Sequence, residues 1–301
     1  MKNKNKIIEI LLKLSRRKLI YLTDKKYLEL KYLYQTYKKI DIDNPQTFNE
    51  KLQWLKLYDR KRIYTTMVDK YEVKKYVSEK LGENCIIPTL GIYDKWEDIN
   101  FNKLPNQFVI KCTHDSGGVA ICKNKKEFDF ANAKNKIEKS LKRNYFYAGR
   151  EWPYKNVRPR ILIEKYMEDE SGYELKDYKI FCFNGEPKFI QLDYDRFTNH
   201  HRNIYDTKWK MQPFNISYSM VSNKEFKKPI ELEKMIEYAK KISINIPFAR
   251  CDFYIVRGCI YFGEITFYPE SGFGKFVPEE WNLKLGEMLE LPNEKSEKNE
   301  K

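Results

Sequence analysis

The sequence predicts an α+β protein built around antiparallel sheets, and three observations carry that reading. Short apolar strands recur in pairs separated by turn residues: FVIKCTH and VAICK, YKIFCF and KFIQLDY, RCDFYIV and CIYFGEITF. Stretches with helical spacing intervene without alternating strictly with these strands, which argues against a parallel βαβ sheet. A chain of 301 residues with 42% hydrophobic and 15% aromatic content buries a substantial core without staples and is not a disordered one.

Residues 1–60 read as a basic helical extension, from IIEILLKLSRRKLIYL and YLELKYLYQTYKKI to an interruption at Asp43-Asn44-Pro45. Thr47 followed by Glu50 makes a capping box that opens the helix FNEKLQWLKLYDRK. Two readings of the extension stay open: solvated helix faces packed on the main body, or an adsorption face for the inner surface of an anionic membrane. Its first apolar stretch is short and broken by Glu9 and Lys13, so no export is expected and the protein is read as cytoplasmic.

Residues 61–105 form the next unit, with a helix MVDKYEVKKYVSEKLG ending at Gly82 and a strand with a turn in IIPTLGIYDKW. Residues 106–166 carry the first hairpin, a helix at about 126–143 and the strand RILIEKYM. Residues 167–290 hold the other two hairpins and a helix at about 229–243, and the polar tail 291–301 is expected to fray. The six cysteines, at 85, 112, 122, 182, 251 and 259, never approach CxxC spacing and several lie in apolar runs, so they read as reduced thiols. A formal net charge of +14 points to an anionic partner: nucleotide, nucleic acid, phospholipid surface or acidic glycan.

Two hairpins carry chemistry. In the first, Lys111 interrupts an apolar strand and Asp115-Ser116-Gly117-Gly118 turns the chain back, so successive N–H groups and an ammonium can meet phosphate oxygens. The same letters also fit a plain turn and a snorkelling lysine. In the third, Asp252 and Glu264 are charges embedded in strands that ask to be buried, which is costly unless a cation compensates. A regular two-residue Arg257-Gly258 loop would put them on opposite sides; an odd loop or a bulge pairs 252 with 264, and that register is the expectation. Facing carboxylates without His or Cys nearby suit a hard cation, Mg²⁺ or Mn²⁺, while an Arg–Asp structural pair is the competing reading.

In order along the chain, PQTFNEKLQW, VDKYEVKKYV, VIKCTHDSGGVAICK, ILIEKYM, DYKIFCFNGEPKFIQLD, RCDFYIV and FGEITFYPESGFGKF resemble the ATP-grasp fold, two α+β subdomains clasping ATP. The likeness covers about 45–290 and is to the TupA-like branch associated with bacterial surface polysaccharide and teichuronopeptide synthesis. It implies that Lys111 contacts ATP phosphates under a flap of Ser116, Gly117 and Gly118, with Lys70, preferred over Lys74, as the earlier lysine. It also implies an adenine hinge at Glu164, Lys165 and Met167, a further nucleotide contact at Lys179, and metal ligands at Asp252 and Glu264. Arg250, with Lys111, would steady the transferred phosphate. The family's usual Glu-x-Asn is here Glu264-Ile265-Thr266, and a hydroxyl is a weaker ligand than an amide carbonyl, which puts a second ion in doubt.

The activity implied is ATP- and Mg²⁺-dependent carboxylate–amine ligation through an acyl phosphate, with an acidic carbohydrate or peptide as acceptor. For that acceptor the residues themselves suggest Arg196, His201 and Arg202 in the segment after the second hairpin, and Ser271, Gly272 and Lys275 in the glycine-punctuated loop after Glu264; exposed loop and plain turn are the competing readings. A glycosyltransferase is the rival enzyme, with Asp193-Tyr194-Asp195 fitting the letters of its metal motif. Kinase motifs are absent from the sequence, and no recognised nucleic-acid-binding module appears, so no nucleic-acid partner is expected.

Overall fold

The computed structural model describes residues 2–169, 175–194, 200–220 and 226–293. Five helices open the chain: α1 (Lys2–Arg16), α2 (Asp24–Thr36), α3 (Phe48–Tyr58), α4 (Arg62–Val68) and α5 (Glu72–Leu81). A four-stranded sheet follows, made of β1 (Thr89–Tyr93), β2 (Phe108–Cys112), β3 (Val119–Cys122) and β4 (Ile161–Lys165) in the order β1-β4-β2-β3, with α6 (Phe130–Leu141) and the short α7 (Phe146–Gly149) between β3 and β4. The second sheet has five strands in the order β10-β9-β5-β6-β7: β5 (Asp177–Phe183), β6 (Glu186–Tyr194), β7 (His201–Asp206), β9 (Phe248–Val256) and β10 (Cys259–Thr266). Helix α8 (Leu232–Ser243) leads into β9, β8 (Asn215–Ile216) pairs with β11 (Phe276–Val277), and α9 (Glu280–Glu287) ends the described helices. All strand pairs within the sheets are antiparallel.

Three apolar clusters hold these elements. The large one joins α3, α4, α5 and α8 to the five-stranded sheet through Leu52, Leu55, Val77, Ile180, Met235 and Phe253. A smaller one lies under the four-stranded sheet, where Phe108, Ile110 and Cys112 of β2 point inward with Ile161 and Ile163 of β4 and Ile137 of α6. The period-2 rule then sends Val109 and Lys111 to the opposite face. The third cluster packs α1 on α2 through Ile8, Leu12, Tyr27 and Leu28. An isolated parallel bridge from Ile86 to Phe262 ties the start of β1 to the edge strand β10 of the other sheet.

Several sequence expectations need correction. The helix expected from Met67 is split, because the Asp69 carboxylate accepts from the N–H groups of Tyr71 (2.8 Å) and Glu72 (3.2 Å) and so starts a new helix. Lys70 therefore sits in the break. The first strand of the phosphate hairpin stops at Cys112, and residues 113–118 form the connection: His114 reaches the carbonyls of Ser140 and Arg143, and the Ser140 hydroxyl donates to Asp115. Helix α3, grouped with the extension by composition, belongs to the main core. Its capping box is formed as expected, Thr47 with Glu50, but the helix ends at Tyr58. All six cysteines are free thiols. Most of the polar tail, 294–301, lies outside the described residues.

Candidate active site

The carboxylate hairpin turns through two left-handed residues, Arg257 and Gly258, which is the two-residue turn a right-twisted hairpin favours. By itself that turn would put Gly263 opposite Asp252. A bulge at Gly263 shifts the ladder instead, so that Glu264 pairs with Asp252 and Thr266 with Arg250. A side chain at 263 would crowd the Asp252 carbonyl at 3.1 Å and the Tyr254 ring at 3.0 Å, which favours glycine at the bulge.

Four side chains thereby share one face. The Arg250 guanidinium forks onto both oxygens of Asp252 (2.7 Å each) and also reaches Glu264 Oε1 (3.2 Å) and Thr266 Oγ1 (3.1 Å). From β5, Lys179 lies opposite Asp252 and donates to its Oδ2 (2.8 Å) and to Asp177. Burial pushes the Asp252 carboxyl up to about 6 against the pull of Arg250 and Lys179. Glu264 behaves differently: burial raises it too, but Arg250, Lys70, Lys179 and Lys111 together outweigh that and hold it below its usual range. Its side chain keeps 44% exposure, so of the two acids it is the one that opens into the cleft.

The opposing wall is the outward face of the four-stranded sheet. Lys111 Nζ lies 2.6 Å from Glu164 Oε2 and Lys74 Nζ 2.5 Å from Oε1, so a buried carboxylate bridges two ammonium groups. Glu164, expected beside an adenine, thus has both oxygens engaged by lysines. Lys165 after it is exposed and Met167 half-buried. Lys70 donates to the Asp115 carbonyl at the base of the flap, where Ser116 and Gly117 are exposed and Gly118 is buried. Burial lowers the Lys111 ammonium, and the charges of Glu164 and then Glu264 more than reverse this. Lys111 from β2 and Lys70 from the break between α4 and α5 therefore both act electrostatically on Glu264 of the carboxylate hairpin.

Of the residues expected to meet the acceptor, Arg202 and Gly272 are buried. Arg202 is buried, donating to Asp193 (2.7 Å), the Ile216 carbonyl (2.7 Å) and Glu270 (3.0 Å). Burial would push Asp193 up, but Arg202 outweighs it and the carboxyl sits at about 2. Asp193, in the letters of the glycosyltransferase-type motif, is thus paired with Arg202; Asp195 and Arg196 lie outside the described residues. His201 meets the Ser219 hydroxyl (3.2 Å), and Lys275 is exposed. The Ser271 N–H donates to the Tyr268 carbonyl (2.8 Å) and its hydroxyl accepts from Lys56 (3.1 Å), while Gly272 is buried in a left-handed conformation, so both serve the loop's own structure.

A set of residues that sequence reading passed over holds that loop. On α3, Asn49, Gln53 and Lys56 recur at i, i+4, i+7 and are all buried. Asn49 donates to the Gly274 carbonyl (2.8 Å), Gln53 to that of Gly272 (2.7 Å) and Lys56 to that of Ser271 (2.8 Å) and of Gly149 (2.9 Å). Glu270 and Ser271, two consecutive left-handed residues without glycine's freedom, are thus fixed from outside. The signal was present as a second ridge beside Phe48, Leu52 and Leu55.

Among the described residues no group of three or more His, Cys, Asp or Glu could hold a metal ion. Asp252, Glu264 and Thr266 offer an oxygen-only donor set that suits a hard cation if further oxygens come from a ligand.

A D-alanine–D-alanine ligase from Helicobacter pylori is 18% identical over 74% of this chain and 61% of its own, with a TM-score of 0.40. The same ligase from Bacillus anthracis, solved with ATP, is 17% identical over 75% and 68%, with a TM-score of 0.38. A biotin carboxylase from Campylobacter jejuni is 13% identical over 84% and 51%, with a TM-score of 0.41. The chain thus spans about three fifths of the first of these and half of the last. A search of curated proteins returns no match. The family described as TupA-like ATPgrasp matches residues 50–290, most of the chain, and the protein therefore belongs to the TupA-like ATP-grasp family.

Proposed function

We propose that the protein is an ATP-dependent carboxylate–amine ligase that attaches an amino acid to a uronic acid or peptide component of a bacterial surface polysaccharide. Family membership supports the nucleotide and the reaction class. The single observation that carries the site is geometric: the bulge at Gly263 brings Glu264 level with Asp252 and Thr266, and the Arg250 guanidinium reaches all three.

In this reading Lys111 and Lys70 receive the phosphates, and Glu164 holds Lys111 and Lys74 in place until a triphosphate competes for them. The flap of Ser116, Gly117 and Gly118 closes over the phosphates, and Lys165 and Met167 flank the base. Asp252 and Glu264, with Thr266, would hold Mg²⁺ or Mn²⁺. When bound, such an ion neutralises phosphate charge. Arg250 orients both carboxylates and spreads the charge that develops on the transferred group, with Lys179 holding Asp252 from below. A substrate carboxylate oxygen attacks the γ-phosphorus and ADP leaves; the amine nitrogen then attacks the acyl carbon, losing a proton as phosphate departs. An acidic carbohydrate or peptide is the proposed acceptor, and an anionic membrane surface is the partner proposed for the helices ahead of the matched residues.

The test is release of ADP and phosphate that needs Mg²⁺, a carboxylate and an amine together. We expect Lys111→Ala and Glu264→Ala each to lower turnover by about 100-fold or more while the circular dichroism spectrum is kept. Turnover retained in either variant refutes the role given to that residue, and diphosphate release from a nucleotide sugar in place of ATP turnover would overturn the ligase reading.

A further inference from the structure

Helix α1 is more apolar than its packing requires. Ile8, Leu12 and Ser15 face the body, where Ile8 and Leu12 meet α2 and the Ser15 hydroxyl accepts from the buried Arg150 (2.9 Å). A second ridge lies beside them at i, i+3, i+7: Ile7, Ile10 and Leu14. Ile7 is 59% exposed and Ile10 50%. Next around the helix come Lys6 and Lys13, both exposed, so buried face, bare apolar ridge and basic rim follow one another. The turn to α2 continues the pattern, exposing Leu19 (66%) and Tyr21 (87%) close to Arg16, Arg17 and Lys18.

Single exposed apolar side chains elsewhere on the molecule, such as Ile121 or Ile244, need no explanation. Four within fifteen positions, rimmed by cations, do. A second copy of the chain covering this ridge by two-fold symmetry would set Lys6, Lys13 and Arg17 against the same charges. A surface that is apolar beneath and anionic above has no such conflict. Among the described residues no helix is long and apolar enough to cross a membrane, so contact at this face is interfacial.

We propose that α1 and the turn after it lie on an anionic lipid bilayer, with Ile7, Ile10, Leu19 and Tyr21 at the headgroup boundary and Lys6, Lys13 and Arg17 on lipid phosphates. This names the lipid-facing residues for the partner proposed above, and it does not depend on the ligase reading: adsorption and turnover are measured separately, and either fails without the other.

The full chain is spun with vesicles of phosphatidylcholine alone and of phosphatidylcholine with phosphatidylglycerol. Adsorption is expected to be about tenfold or more stronger on the anionic vesicles and to fall as salt is raised. Ile7→Asp with Ile10→Asp is expected to weaken it by about tenfold or more. Lys6→Glu with Lys13→Glu is expected to remove the preference for phosphatidylglycerol and guards against a misfolded first variant. No adsorption by the parent chain, equal adsorption to both vesicles, or parent-like adsorption by folded variants overturns the proposal. So does a parent dimer in solution that the Ile7→Asp, Ile10→Asp variant dissociates, since the face would then belong to a second copy.

Discussion

Lys56 is an ammonium with no solvent contact, held by the Ser271 and Gly149 carbonyls and lying 5.0 Å from the centre of the Phe273 ring. Burial lowers it to about 7, with Glu151 pulling the other way. The sign of its effect on stability follows from proton counts. Between about pH 7 and the ordinary value of 10.5 the unfolded chain keeps a proton on this lysine that the folded chain has lost, so stability rises with pH across that window. Lys31, lowered by burial to about 8, acts in the same direction, whereas Glu151, raised by burial, makes stability fall with pH just above its ordinary 4.5. Replacing Lys56 with Met should flatten the rise between pH 7 and 10. It should also strand the Gly149 carbonyl, at about 1–3 kcal/mol. Urea unfolding at pH 7 and pH 9 reads both, and a variant that keeps the full rise would show that Lys56 is not its source. Reading by residue succeeded for Arg250 and Asp252, because period-2 geometry places them on one face, whereas Glu264 joins them only through the bulge. It failed for Arg202 and for Lys56, because a charge on a strand or an amphipathic helix looks the same in sequence whether it meets solvent or a buried carbonyl.

At the scale of elements, the helix starts were the most legible features. Thr47 accepts from the Glu50 N–H while the Glu50 carboxylate accepts from those of Thr47 and Gln46. Thr47→Ala is expected to cost about 1 kcal/mol, and a urea midpoint that does not move would mean the cap adds nothing to α3. The break between α4 and α5 was missed, since the apolar spacing runs through it; only the capping preference of Asp69 marks it. The bulge at Gly263 was half legible. Two acids one residue out of phase demanded some irregularity, but its position depends on how close the Asp252 carbonyl and Tyr254 approach, which only the packed sheet reveals.

At the scale of the whole molecule, lysines on and beside one antiparallel sheet, Lys111 and Lys70, act on Glu264 of the other, where Arg250 and Asp252 lie next to it. A ligand bridging the two sheets binds the folded chain alone. MgATP at a hundred times its dissociation constant should therefore add about 2.7 kcal/mol and raise the melting temperature, and Lys111→Ala should remove most of that shift. An unchanged melting temperature in the parent chain would sink the nucleotide reading. This order of hairpins and helices was legible because each leaves its own turn chemistry. The packing of α3 in the central core was not, because composition grouped it with the basic helices before it.

The contacts from Asn49, Gln53 and Lys56 to residues 271–274 span as much as 225 positions. A polypeptide emerging from the ribosome therefore makes this helix long before its acceptors. Until residues 271–274 are in place, Asn49 and Gln53 lack the carbonyls that let them be buried and Lys56 has only that of Gly149, which opposes docking of the helix. The fold closes on itself like a buckle, and the strained loop takes its shape only once α3 lies against it.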